Sequence, residues 1–205
     1  MSEVRQLTGD PSDVVKGPKG KVGQKHLPGD GAMWFCVLGD LIIFGAYFIT
    51  YVVFRTREES AFSASAAHLS LDIGIFNTLL LLASSWFVAR GVVAARAGKD
   101  DQAIRFAVGG TACGVLFIVV KLYEWWSEAS RGFTLTKDTF FSFYYMLTGA
   151  HLLHVVIGLV ILAVAIVHIR IRTAARVSIL EQGATFWHMV DLLWVLIFAL
   201  LYVMR

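Results

Sequence analysis

Six side chains able to carry protons or hold a metal lie inside apolar stretches of this sequence: Asp40, Glu124, His151, His154, His188 and Asp191. His151 and His154 are spaced i, i+3, with Gly158 on the same helical face at i+7. His188 and Asp191 belong to EQGATFWHMVDLLW, Glu181 to Trp194, in which Trp187, Asp191 and Trp194 fall at i, i+4, i+7 and share one helical face. Three chemistries compete for these groups. Haem or metal ligation needs opposed imidazole nitrogens about 2 Å from the metal. Here two imidazoles sit on one face of one segment, the third follows a bulky Trp, and His26 and His168 fall near or beyond the apolar stretches, which argues against a metal centre in this chain. A proton relay needs carboxylates within water-bridging reach of one another, and Asp40, Asp191 and Glu124 fall in two separated layers. That spacing suits loading of protons for a partner, at Asp40 and Glu124, better than conduction across the chain. The third chemistry is structural. A charge at the centre of an apolar span costs roughly 2.5–3.5 kcal/mol on insertion scales, so each group needs an internal partner. On that reading His151, His154, His188, Asp191 and Glu181 form one hydrogen-bonded polar cluster.

The elements that must position these groups are membrane spans. The 205 residues are 57% hydrophobic and 16% charged, with a mean hydropathy of +0.68, against about 25% charged residues in soluble domains. Five apolar stretches are each long enough to cross a hydrocarbon core of about 30 Å: residues 33–54, 73–95, 104–126, 139–168 and 184–204. The predicted fold is all-α, a five-transmembrane-helix bundle over residues 31–205. It is preceded by a polar segment, residues 1–30, rich in Gly, Pro, Lys and Asp, without the apolar core of a signal peptide and read as a mobile tail. Residues 55–72 read as a polar loop. Asn77 and the small residues Ala83, Ser84 and Ser85 predict close helix packing with hydrogen bonds across the contact. Gly109, Gly110 and Gly114 predict the same for the third span. Trp187 and Trp194 read as packing or lipid contacts, and the aromatics near residues 140–145 as packing. The single cysteines Cys36 and Cys113 read as small buried apolar groups. No internal repeat of the kind found in many secondary transporters is visible.

Basic residues concentrate in the N-terminal segment (Arg5, Lys16, Lys19, Lys21, Lys25), the second loop (Arg96, Lys99, Arg105) and the fourth (Arg170, Arg172, Arg176). The positive-inside rule therefore predicts a cytoplasmic N-terminus and an outward C-terminus in a bacterial cytoplasmic membrane, and the same distribution excludes a nucleic-acid stripe. With five alternating spans, Asp40 and Asp191 each lie seven residues from the cytoplasmic start of their span. Both then sit about 10 Å into the hydrocarbon. His154 descends toward that layer, so the expected pairing is His154 with Asp191 or His188. Glu124, at another depth, is expected to find Lys121 at i, i+3, His151 or water.

Four ordered stretches, NTLLLLASS, KLYEWW, TGAHLLHVVIG and EQGATFWHMVDLLW, resemble the signatures of subunit III of haem–copper oxidases. The resemblance spans residues 31–205. It implies that Asp40 matches the carboxylate of the family's first helix noted for carbodiimide reactivity in cytochrome c oxidases, where Glu is usual and Asp occurs in quinol oxidase relatives. Glu124, His151, His154, Glu181, Trp187, His188, Asp191 and Trp194 match the family's other characteristic positions. The resemblance further implies a non-catalytic subunit with no haem or copper of its own, packed on a catalytic subunit that carries haem and copper. Bound phospholipid and support of proton uptake are implied as well. The chain has no room for the two extra helices of larger members. Its start, MWFCVLGDLIIFGAYF, resembles the five-helix proteins associated with nitric oxide reductase, whose catalytic subunit holds non-haem iron in place of copper. From another class, an independent proton-coupled transporter or a di-haem membrane protein stands as the alternative.

Overall fold

The computed structural model describes residues 31–204, with side chains from Met33 onward. The predicted tail, residues 1–30, lies outside the described residues. Six helices follow one another: α1 Gly31–Arg57, α2 Glu59–Ala66, α3 Leu71–Arg96, α4 Asp100–Ser130, α5 Thr139–Arg170 and α6 Arg176–Phe198, which runs on into a π-helical turn, Ala199–Val203. Five of them, all but α2, are long and apolar enough to cross a membrane, and the described residues contain no strand.

The helices outrun the apolar stretches that predicted them. α4 begins at Asp100 and α6 at Arg176, ahead of the expected residues 104 and 184, and α2 occupies part of the expected polar loop. Hydropathy sees only the hydrocarbon-matched portion of a helix, whereas backbone hydrogen bonding continues into the polar ends. α2 is helical for a tertiary reason: Phe62 and Ala66 are buried and Phe62 packs edge-on against Tyr51 of α1 and Phe140 of α5.

Two turns are closed by glycines with positive φ. Gly98 (φ 71) and Gly132 (φ 86) follow α3 and α4. In each case the next amide reaches back to the helix, Lys99 N to Ala94 O and Phe133 N to Glu128 O, both 3.0 Å, the doubly bonded left-handed cap that favours Gly. The α5–α6 turn uses Arg172 (φ 52) for the same geometry, and its guanidinium faces Asp100 at 3.9 Å, with Arg176 on the same carboxylate at 3.2 Å. The α3–α4 and α5–α6 turns are thereby fastened together at one end of the bundle. Asp138 organises the opposite end, capping α5 through Phe141 N (2.8 Å) and accepting from Ser65 of α2 (2.9 Å). Asp138→Ala is expected to cost about 0.5–2 kcal/mol, the range for a lost N-cap. Faster protease cleavage around residues 58–70 checks it, and an unchanged cleavage rate refutes the tether.

α3, α4, α5 and α6 form the compact part, with α3 packed along α4 and α5 along α6. Its antiparallel register is set by small residues. Ser84 donates to Gly110 O (2.8 Å) between α3 and α4. An added Cβ at Gly114 or at Gly158 would lie 2.7 Å from the Trp187 ring. α1 stands at the rim and touches chiefly α6. Its Phe35, Ile42 and Ile49 are 81%, 72% and 68% exposed, a face for lipid or another subunit. Contrary to the expected burial, Cys36 is exposed, because α1 has a neighbour on one side only, and Cys113 of α4 is half-buried.

Candidate functional site

The expected polar cluster is divided among separate partners. His154 pairs with Asp40: Nε2 lies 3.4 Å from Oδ1, and Nδ1 is 2.8 Å from Ala150 O. It bonds neither His188 nor Asp191, which corrects the pairing expected from depth. The reason is angular. His151 and His154 are offset by a net angle of about 60° around the helix, enough at the edge of the buried face for His151 to meet Phe117 and Trp194 in the four-helix core while His154 meets α1, edge-on to Phe44. Because Ala150 O only accepts, Nδ1 carries the proton. Nε2 is thereby left facing the Asp40 carboxyl. Cavities lie on both sides of the pair, of about 180 Å³ and 410 Å³, lined by Ile43, Phe44, Tyr47 and Met146 on one side and by Phe35, Gly39, Ile157 and Phe186 on the other.

Glu181 lies at the α3–α4 turn end and binds Arg96 at 2.7 Å, a half-exposed surface pair that contributes little to stability. His188 faces α3, its Nδ1 2.6 Å from Ser85 Oγ. Ser85 is also within interaction range of the Asp191 carboxyl. Its oxygen is bonded to His188, and by hydrogen-bond geometry neither Asp191 oxygen has a partner among the described residues. The same holds for both nitrogens of His151 and for both polar atoms of Asn77. His151 is instead held by rings, 5.1 Å from Trp194 and 5.7 Å from Phe117. Trp187 and Trp194 are fully buried, with indole nitrogens donating to Ser84 Oγ and Thr78 Oγ1, both 3.1 Å. Each buried polar group left without a partner costs about 1–3 kcal/mol. Three such residues in one bundle are more than a marginally stable fold sustains without some further partner.

Glu124 does take Lys121 as its partner, but in the interior instead of at the surface. Lys121 Nζ donates to Glu124 Oε2 (2.9 Å), Tyr202 OH (2.8 Å) and Tyr144 OH (3.2 Å), and Tyr202 OH donates to Glu124 Oε1 (2.5 Å). The ammonium has three protons and three acceptors, so a fully buried charge pair is completely hydrogen-bonded. The Lys–Glu spacing is visible in the sequence. The tyrosines are not, because Tyr144 comes from α5 and Tyr202 from the π-helical turn. One turn further, Glu128 faces the exposed Arg131 at 3.5 Å.

Among the described residues no three His, Cys, Asp or Glu side chains gather as metal ligands. What the bundle offers is a set of protonatable and packing groups, and comparison with known proteins gives that set its context. The profile of cytochrome c oxidase subunit III matches residues 31–205. The chain belongs to the cytochrome c oxidase subunit III family. Among its relatives, a probable cytochrome c oxidase subunit 3 of Nocardia farcinica is 27% identical over 81% of this chain and 83% of that protein. A cytochrome bo(3) ubiquinol oxidase subunit 3 of Pseudomonas aeruginosa is 28% identical over 83% of this chain and 82% of that one. A haem–copper oxidase subunit I+III of Aeropyrum pernix is 25% identical over 83% of this chain and 22% of that longer protein. This subunit III is thus a non-catalytic membrane subunit of a haem–copper oxidase, built for association with a catalytic subunit. In subunit III terms the rim helix α1 presents Asp40 to α5 between the cavities, while the compact part keeps Lys121, Glu124, His151 and Asp191 inside.

Proposed function

We propose that this subunit III supports proton delivery to its catalytic partner through the Asp40–His154 pair and binds phospholipid in the cleft beside α1. The observation that carries this reading is the pair itself: an imidazole and a carboxyl, 18% and 25% exposed, 3.4 Å apart and set between two cavities. When such a pair holds a proton, the imidazole and the carboxyl offset each other's charge, which lowers the cost of keeping ionisable groups in the hydrocarbon. The apolar linings from Ile43, Phe44 and Ile157 suit acyl chains. Haem and copper, or non-haem iron, belong on this reading to the catalytic subunit, to which the fused I+III relative supplies a parallel by name.

The proposed orientation has a cytoplasmic N-terminus. It is supported by the basic α3–α4 and α5–α6 turns sharing one end of the bundle with the start of α1. On that orientation Asp40 lies on the cytoplasmic half, the side from which an oxidase draws protons.

Asp40→Asn is expected to leave assembly intact while proton uptake during turnover slows severalfold and the oxidase inactivates sooner. His154→Gln should shift both readings the same way, since either change removes one protonatable member of the pair. Wild-type uptake and inactivation rates in both variants would rule out a protonic role, and loss of phospholipid without change in uptake would leave the lipid role alone.

A further inference from the structure

Trp194 fixes where the unpartnered polar groups lie. Its ring touches His151 of α5 (5.1 Å), Phe117 of α4 (4.8 Å) and the Lys121 ammonium (5.2 Å), and its indole nitrogen donates to Thr78, the neighbour of Asn77 on α3. Asp191 stands three residues earlier on α6, about 4.5 Å back along the helix axis. Asn77, His151 and Asp191 are 0%, 0% and 5% exposed. They come from three different helices within one to two turns of one another, and none has a partner among the described residues. Through their common neighbour Trp194 these donors and acceptors fall in one part of the interior, and buried polar groups without a protein partner are the ones that ordered water satisfies.

We propose that the α3–α6 interior binds a file of water molecules bridging Asn77, His151 and Asp191 and continuing into the Lys121–Glu124 network. The file is blind. Toward the α2 end it meets Glu124, then Glu128 one turn on, then the exposed Arg131. Toward the α3–α4 turn it is stopped by Trp187, whose ring fills the space between Gly114 and Gly158 and whose nitrogen is satisfied by Ser84. Protons on Asp191 therefore exchange with the α2 end and not across the bundle. This site is separate from the Asp40–His154 cleft and independent of its role.

Radiolytic hydroxyl-radical footprinting of the assembled oxidase tests this with water itself as the probe. Trp187 and Trp194 are equally buried, at 0%, but Trp194 lies along the file, against His151 and Lys121, whereas Trp187 only closes its end with its ring wedged between Gly114 and Gly158. The expected result is oxidation of Trp194 and His151 at rates approaching that of the exposed Trp126, with Trp187 at least tenfold slower. An Asn77→Leu/His151→Leu double variant should remove the polar anchors and bring Trp194 down to the Trp187 rate. Equal protection of Trp187 and Trp194 in the wild type overturns the proposal, as does unchanged Trp194 labelling in an assembled double variant.

Discussion

Lys121→Met is expected to lower the unfolding free energy by about 3–5 kcal/mol, the cost of leaving one partner of a buried ion pair uncompensated. Methionine nearly matches the lysine stem in volume, so the loss is electrostatic and not a cavity. Glu124 would keep the Tyr202 hydroxyl, at 2.5 Å, and Tyr144 would lose the Lys121 ammonium. Lys121→Met/Glu124→Gln is the informative companion. Its amide oxygen still accepts from Tyr202, no charge remains, and replacing a buried pair by neutral groups is often close to neutral. The double variant should therefore recover most of the loss, with a coupling of roughly 2 kcal/mol or more in a double-mutant cycle. Denaturation of the chain in mixed detergent, followed by tryptophan fluorescence, measures it. A double variant no more stable than Lys121→Met would mean that the pair does not act as a unit.

The network also shows what a sequence conceals. The five spans, the small-residue packing at Ser84 and the Lys121–Glu124 pair are legible because each is local: an apolar run, a residue size or an i, i+3 spacing. Glycines at residues 98 and 132 mark helix ends by the same local logic. The partners of the buried polar groups are another matter. Depth along the membrane follows from counting residues, and it placed His154 near the Asp40 and Asp191 layer. Rotation about each axis depends on which faces pack, and it gave His154 to Asp40, His188 to Ser85, and Asp191 to neither. Tyr202 lies further out of reach of such reasoning, because it enters the network from a π-helical turn that shifts the face of the last residues. α2 likewise exists by docking Phe62 into a neighbouring cluster, and its eight residues carry no independent helical signal.

Trp187→Ala should be as damaging as loss of the ion-pair lysine, at about 3–5 kcal/mol for a buried Trp truncated to Ala. The ring is wholly buried and held on two sides by glycine. A Cβ at Gly158 would stand 2.7 Å from Cε3, and one at Gly114 would stand 2.7 Å from Cη2 and 2.9 Å from Leu159. The indole thus occupies space that α4 and α5 leave only because both lack side chains there. Ser84 links the same ring to the α3–α4 contact, accepting from Trp187 Nε1 (3.1 Å) while donating to Gly110 O (2.8 Å). Truncation removes a spacer and a cross-helix bond together. Gly158→Ala approaches the same contact from the other side, forcing a rigid ring to move at a cost of about 1–3 kcal/mol for overpacking. The two changes should compensate in part, since Trp187→Leu gives the new methyl room. Detergent melting of Gly158→Ala, Trp187→Leu and the pair decides the matter. Strictly additive losses would show that Trp187 is not wedged between α4 and α5, and with it would fall the seal that separates the bundle interior from the α3–α4 turn.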